Sequence, residues 1–305
     1  MTSDPNPPVR SPGGGGMSRR VDASTAVDFV LLLPELLSSL MVMGLLGSFL
    51  MPRSPWLIAV VWLLASALIF LPAAEKVFAR MKFRVRRPNE SELGHLLRPW
   101  TSVCRVAGVP HDRYTLWIEE SDGVNALAAG GHIVAVTRSA LRLPPPQLEA
   151  ILAHELGHHL SGHAWMAHLG WYYSVPARLS VRLAALVLRV LDAVGRFLGR
   201  LGFAFAELAV GLCGLFLLIA LISLNPWLLL LPVTSLLLAW SSRLAETRAD
   251  RVAARLGYGQ DLVDVLRMWM RNQVGPSPRG RRALLATHPS HQVRIAKLMG
   301  HMHKP

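Results

Sequence analysis

From Leu201 to Trp240 the chain is apolar almost without interruption for about 40 residues, twice the ~20 that one helix needs to cross ~30 Å of hydrocarbon. Lipid offers no partner to a backbone amide or carbonyl, so a run of this length must satisfy its own and folds as helix. Asn225-Pro226 interrupts the run and predicts a turn between two spans, about 202–223 and 227–241, a hairpin over 201–241. Two more apolar runs, about Val27 to Met51 and about Trp56 to Leu71, are joined by Pro52-Arg53-Ser54-Pro55 and predict another transmembrane hairpin over 25–75. The first is too long for a cleaved signal peptide, and the second follows at once. Such runs account for 52% hydrophobic residues and a mean hydropathy of +0.36, high for a soluble chain.

The polar remainder is basic. Charged residues are only 17% of the chain yet sum to +13, an excess that suits anionic headgroups or nucleic acid. The apolar runs favour lipid, and no nucleic-acid motif is present. Lys76, Arg80, Lys82, Arg84, Arg86 and Arg87 follow the second run, and Arg243, Arg248 and Arg251 follow the last. Positive charge stays on the cytoplasmic side, so residues 76–200 and 242–305 are read as two parts of one cytoplasmic domain, with both termini cytoplasmic. Residues 1–24, rich in Pro and Gly, are too poor in apolar surface to order and are read as a disordered tail in which Met17 is an alternative start. The cytoplasmic part predicts a helix near 90–108, strands around Tyr114 to Glu119 and His132 to Thr137, and a helix opening at Pro144-Pro145-Pro146, where the first amides lack partners anyway. Arg178, Arg182, Arg189, Arg196 and Arg200 recur at spacings of 4, 7, 7 and 4 and fall within ~40° of one helical face. Residues 178–200 are therefore read as an amphipathic helix with arginines toward lipid phosphates, a solvated helix on the cytoplasmic domain being the alternative. Cys104 and Cys213 imply no disulfide framework. The resulting fold class is mostly α with a small β-sheet, in an integral membrane protein of about four transmembrane helices.

The chemistry concentrates in His154-Glu155-Leu156-Gly157-His158. Histidines four apart on a helix project from one face and hold two positions of a tetrahedral metal. Glu155, beside the first, is placed to take a proton from water. Helix-favouring residues from Gln147 to Ala153 put the motif in the conformation that gives its spacing meaning. Zinc needs a third protein ligand. Ser161 and Ala164 stand where a metzincin would have Gly and His, which excludes that class. His159, His163 and His168 are read as surface or supporting groups. Downstream, Glu246 and Asp250 again share a helical face: Glu246 is the candidate third ligand, and Asp250 a candidate acceptor that fixes a ligand histidine's tautomer. Taken alone, that pair reads as a solvated helix face.

Four motifs in order, Asn125-Ala126-Leu127-Ala128-Ala129-Gly130, His154 to His158, Glu246 to Asp250, and Thr287-His288-Pro289 with Arg294-Ile295, resemble those of the M48 membrane metallopeptidases, which include HtpX-type quality-control proteases and Ste24-type CaaX proteases. The resemblance covers about residues 90–300. It implies a zincin-like (gluzincin) domain with one Zn2+ held by His154, His158 and Glu246, and Glu155 as general base. It implies that the Asn125 segment, with Ala126 and Ala128, is an edge strand on which a polypeptide substrate lies as an added strand. By the same analogy His288, with Asn125 as companion, faces the developing oxyanion, and Arg294 ties the last helix to the site. The expected activity is that of a zinc endopeptidase cutting membrane or misfolded proteins at the cytoplasmic face of a bacterial plasma membrane, the Arg, Ala and Pro usage being that of a G+C-rich bacterium. One departure stands out: where the HtpX pattern has a span soon after the zinc helix, this chain has the arginine-striped segment.

Three competing readings are distinguishable. An intramembrane site-2-type protease would carry its histidines inside a span and use a Leu-Asp-Gly aspartate, and neither is present. An M56-type sensor protease lacks the Asn125 and Thr287-His288-Pro289 motifs. A scaffold with structural zinc has no use for Glu155. Oligomeric state is not legible.

Overall fold

The computed structural model describes residues 23–121, 123–272 and 289–303. Most of the expected tail, the basic loop Gly275 to Arg282 and the Thr287-His288 pair lie outside the described residues. In chain order the helices and strands are α1 (Ala23–Leu50), α2 (Trp56–Ala65), α3 (Pro72–Phe83), β1 (Val85–Arg86), α4 (Glu90–Ala107), β2 (Thr115–Glu119), β3 (Ala126–Ala129) and β4 (Ile133–Thr137). They continue as α5 (Pro145–Leu160), α6 (His163–Arg200), α7 (Ala204–Leu224), α8 (Leu231–Ala253), α9 (Gly259–Asn272) and α10 (His291–Met302). The fold is mostly helical with one small sheet, and its described residues divide into two compact units: Phe70–His168 with those from Leu238 on, and Asp28–Ile69 with Leu169–Leu237.

The first unit is built around the sheet, in the order β1-β2-β4-β3. β1 pairs antiparallel with β2, β2 parallel with β4, and β3 antiparallel with β4. Interior β4 (Ile-Val-Ala-Val-Thr) is buried at every position, as a strand covered on both faces must be. β3 is left at the edge. Asn89 caps α4 by accepting from the Glu92 amide while the Glu92 side chain accepts from the Asn89 amide, a reciprocal arrangement that satisfies two otherwise orphaned donors. Leu96 and Trp100 of α4, Ile118 and Val134 of the sheet, Ile151 and Leu152 of α5, Leu262 and Leu266 of α9 and Leu298 of α10 share one core. α5 therefore lies in the interior, and residues Ala150 to Leu160 are all buried.

The second unit holds the apolar helices. Among the described residues three helices are long and apolar enough to cross a membrane, Val27–Leu50, Phe205–Leu224 and Pro226–Arg271, or four if the broken pair Trp56–Phe70 and Pro72–Phe83 forms one span. Asn225-Pro226 interrupts the helix after Leu224, where the sequence places a turn; Asn225 is 2% exposed, and its Nδ2 donates to the Ser38 carbonyl (2.9 Å) and Oγ (3.0 Å), midway along α1. A break in a helix buried in an apolar bundle must find such partners for its freed polar groups. One feature differs from the sequence reading: the arginine-striped segment is not a separate helix but the second half of the 38-residue α6, and from Leu169 on α6 groups with the apolar helices. Next to Pro176, where the helical ladder lacks a donor, the Ala177 amide donates to Ser39 Oγ of α1 (3.1 Å). Further along, Gly195 faces Val210, Gly199 faces Glu207, and Leu188 faces Gly214. α6 and α7 thus pack antiparallel through small residues, while Arg182, Arg189, Arg196 and Arg200 remain exposed.

Candidate metal centre and active site

Three helices of the first unit supply the site: α5 brings His154, Glu155 and His158, α8 brings Glu246 and Asp250, and α10 brings Arg294. All are buried. The spacing of α5 and α8 is set midway between the ligands. A Cβ on Gly157 would stand 2.8 Å from the Ala249 Cα and 3.1 Å from its carbonyl oxygen. Backbone cannot yield as a side chain can, so only glycine permits this approach. The position was present in the sequence motif without a role; its signal is that Gly157 and Ala249 each lie between a pair of functional residues four apart.

The approach brings His154, His158 and Glu246 together, their ligand atoms within 4.8 Å of one another. His154 Nε2 and His158 Nε2 are 3.2 Å apart, His154 Nε2 and Glu246 Oε2 3.5 Å, and His158 Nε2 and Glu246 Oε1 3.4 Å. A tetrahedral centre with ligands at ~2.0–2.1 Å has edges of about 3.3–3.4 Å, close to the separation of the two histidine nitrogens and to the distance from each of them to its nearer Glu246 oxygen. The charge also fits. Glu155, Glu246 and Asp250 surround the site with Arg294 as the buried guanidinium, which leaves two negative charges in balance for a divalent cation.

The surrounding contacts orient the ligands. His154 Nδ1 lies 2.9 Å from Asp250 Oδ1, which directs Nε2 toward the centre. Arg294 grips Asp250 through Nε (3.0 Å) and NH2 (2.6 Å) and reaches Glu246 Oε2 through NH1 (3.1 Å). Burial pushes His158 down to about 4, which favours the neutral ring that a metal ligand requires. His154 moves the other way: burial and Arg294 oppose its charge, but Asp250 and Glu246 outweigh them and raise it to about 10. The two rings share Glu246 and differ in Asp250, which only His154 contacts. Asp250 is also buried, which works against its charge, yet His154 and Arg294 hold its carboxyl below the usual range.

These groups open on a cleft of about 720 Å³ whose lining includes Asn125 to Ala128, Glu155, His163, Trp269 and His291. Asn125 is held by the sheet, its amide donating to Thr137 Oγ1 (3.0 Å) and its carbonyl accepting from the Thr137 amide (3.0 Å). Ala126 is buried and Ala128 half-buried. His159 and His168 stand elsewhere, His159 Nε2 on the Ile133 carbonyl (3.0 Å) and His168 stacked on Phe78. His163 lines the cleft, its ring 5.7 Å from that of His158. His288 lies outside the described residues. Trp269, His291 and Glu119 reach the cleft through tertiary contacts that no local spacing announces.

A two-histidine, one-glutamate site on crossed helices, with a carboxylate beside the first histidine and apolar helices long enough for a bilayer in the same chain, defines a membrane metallopeptidase. The family model for Peptidase family M48 matches residues 91–301, and the chain belongs to that family. It is 27% identical over 243 residues to a protease HtpX homolog from Desulfotalea psychrophila, covering 70% of this chain and 76% of that one. Among solved structures it is similar to S. mikatae Ste24p, with a TM-score of 0.47 and 17% identity over 90% of this chain; it spans 65% of that structure's length.

Proposed function

We propose that the protein is a zinc endopeptidase in which His154, His158 and Glu246 hold one Zn2+ and Glu155 is the general base. The observation that carries this reading is the convergence of one ligand atom each from His154, His158 and Glu246 to within 4.8 Å of one another in a cleft that also holds Glu155. A zinc ion held there would supply Lewis acidity and would lower the pKa of water at the site. Glu155 is placed to accept a proton from water and to deliver it to the leaving amine. Asp250 and Arg294 hold His154 and Glu246 in position. The substrate is a polypeptide laid along edge strand β3 as an added strand, an assignment supported by the place of Ala126–Ala129 at the edge of the sheet, among the described residues, beside the cleft. His288, with Asn125 as companion, is assigned to the oxyanion side on its motif alone.

Basic segments after the apolar runs support a cytoplasmic catalytic domain and cytoplasmic termini in a bacterial plasma membrane. Because Glu246 follows the last apolar run by about a turn, the substrates proposed are membrane or misfolded proteins cut in cytoplasmic or juxtamembrane segments, a quality-control role. The test compares purified wild type with Glu155→Gln on an unfolded membrane protein. The variant is expected to keep one zinc per chain and lose about 10²–10⁴-fold in hydrolysis. Equal turnover by both would exclude Glu155 as the base.

A further inference from the structure

Glu119 ends β2 beside Thr137 of β4, and Thr137 is bonded in turn to Asn125. Glu119 therefore lies at the end of the sheet where the chain enters β3, and it lines the same cleft as Phe83, Val124, Asn125 and Glu155. Its Oε2 is buried without a hydrogen-bond partner, and among the described residues no cation pairs with it. Five other acids of this unit have a partner of opposite or complementary character. Glu92 is gripped by Arg86, Glu120 by Arg86 and Arg138, Glu246 and Asp250 by Arg294, and Glu75 by the Gly131 amide and His132. In a chain with 32 Lys and Arg against 19 Asp and Glu, Glu119 keeps a buried carboxylate oxygen in the cleft that no cation among the described residues meets. Desolvation alone raises its pKa, so the fold bears the cost of an acceptor it does not satisfy. Such a cost is removed by a cation arriving with the substrate.

We propose that Glu119 is a specificity-determining residue that pairs with a lysine or arginine side chain of the bound polypeptide. The apolar wall of Phe83 and Val124 accommodates the aliphatic stem of such a side chain while its charged head meets the carboxylate. An apolar residue would leave Glu119 unsatisfied, and an acidic one would be repelled. The proposal rests on reading the cleft as a peptidase site.

The experiment uses the full-length zinc-loaded protein in detergent and peptide pairs that differ only in arginine or its neutral isostere citrulline, scanned through the positions flanking the cleaved bond. Wild type is expected to favour arginine at one position by about 10-fold or more in kcat/KM. In Glu119→Gln that ratio falls to within about twofold, and in Glu119→Lys the preference at that position passes to glutamate. Because each ratio is taken within one preparation, loss of folded enzyme cancels. Cleavage by wild type with no arginine preference at any position, or a preference that survives in Glu119→Gln, overturns this proposal and leaves the peptidase reading standing. Failure of wild type to cleave any peptide or unfolded protein overturns both.

Discussion

Arg294 is the residue on which the charge balance of the site turns. It is 5% exposed and serves two buried carboxylates at once, Asp250 through a fork and Glu246 through a third nitrogen. Removing one partner of a buried pair leaves a charge with neither water nor counterion. Arg294→Met is therefore expected to destabilise the metal-free protein by about 3–5 kcal/mol, read as a drop in the thermal midpoint of chelated samples. Saturating zinc is expected to recover part of the loss, since Glu246 then has a cation again and Asp250 does not. A loss below about 1 kcal/mol would mean that water already reaches these carboxylates.

At the scale of elements, the crossing of α5 and α8 is what makes three ligands into one site. Gly157→Ala inserts a methyl against the backbone of Ala249, pushing His154 and His158 away from Glu246. Zinc affinity measured by chelator competition is expected to fall by about 10–100-fold. Gly94→Ala is the matched control: nothing lies within 4 Å of its added Cβ, and the variant is expected to gain about 0.4–1 kcal/mol by restricting the unfolded chain. The start of α4 gives a pH test. Hydrogen bonds from Arg86 hold the Glu92 carboxyl down, to about 2. A folded-state value below the unfolded one means that the ionised pair adds stability at neutral pH, and that this is lost as pH falls from about 4.5 toward 2. Protection of the first-turn amides of α4, each rate being referred to the intrinsic exchange rate at that pH, is expected to fall across that window in wild type and to fall less in Arg86→Met, where the Asn89 amide still holds the carboxylate.

For the molecule as a whole, metal and fold are linked. The ligands come from helices far apart in the chain, so a metal that binds the folded site and not the unfolded chain stabilises the catalytic unit by mass action. Zinc at about 100 times its dissociation constant is expected to add about 2.7 kcal/mol. The check is a thermal midpoint that falls on chelation and returns with zinc; a midpoint indifferent to both would mean that the three residues do not bind metal. The second unit depends on polar contacts within an apolar bundle. Asn225→Ala, which removes the bonds to Ser38, is expected to cost about 1 kcal/mol, measured by unfolding in detergent.

The sequence by itself determined the features that repeat with a local period. Histidines 154 and 158, and Glu246 with Asp250, were legible because residues four apart share a helix face whatever surrounds the helix. The apolar runs were legible because their length is measured against a bilayer. The strands near 115–119 and 133–137 and the helix from 90 stood within a residue or two of their expected bounds, since cap and turn residues act on their neighbours. Only the tertiary structure decided that Gly157 meets Ala249, that Arg294 serves both carboxylates, that Glu119 reaches the cleft, and that Asn225 is buried against Ser38. The arginine stripe shows why. Its charges specify one face of α6, but Gly195 and Gly199 on another face let α7 approach, and packing between surfaces brought together from distant parts of the chain has no local period to read.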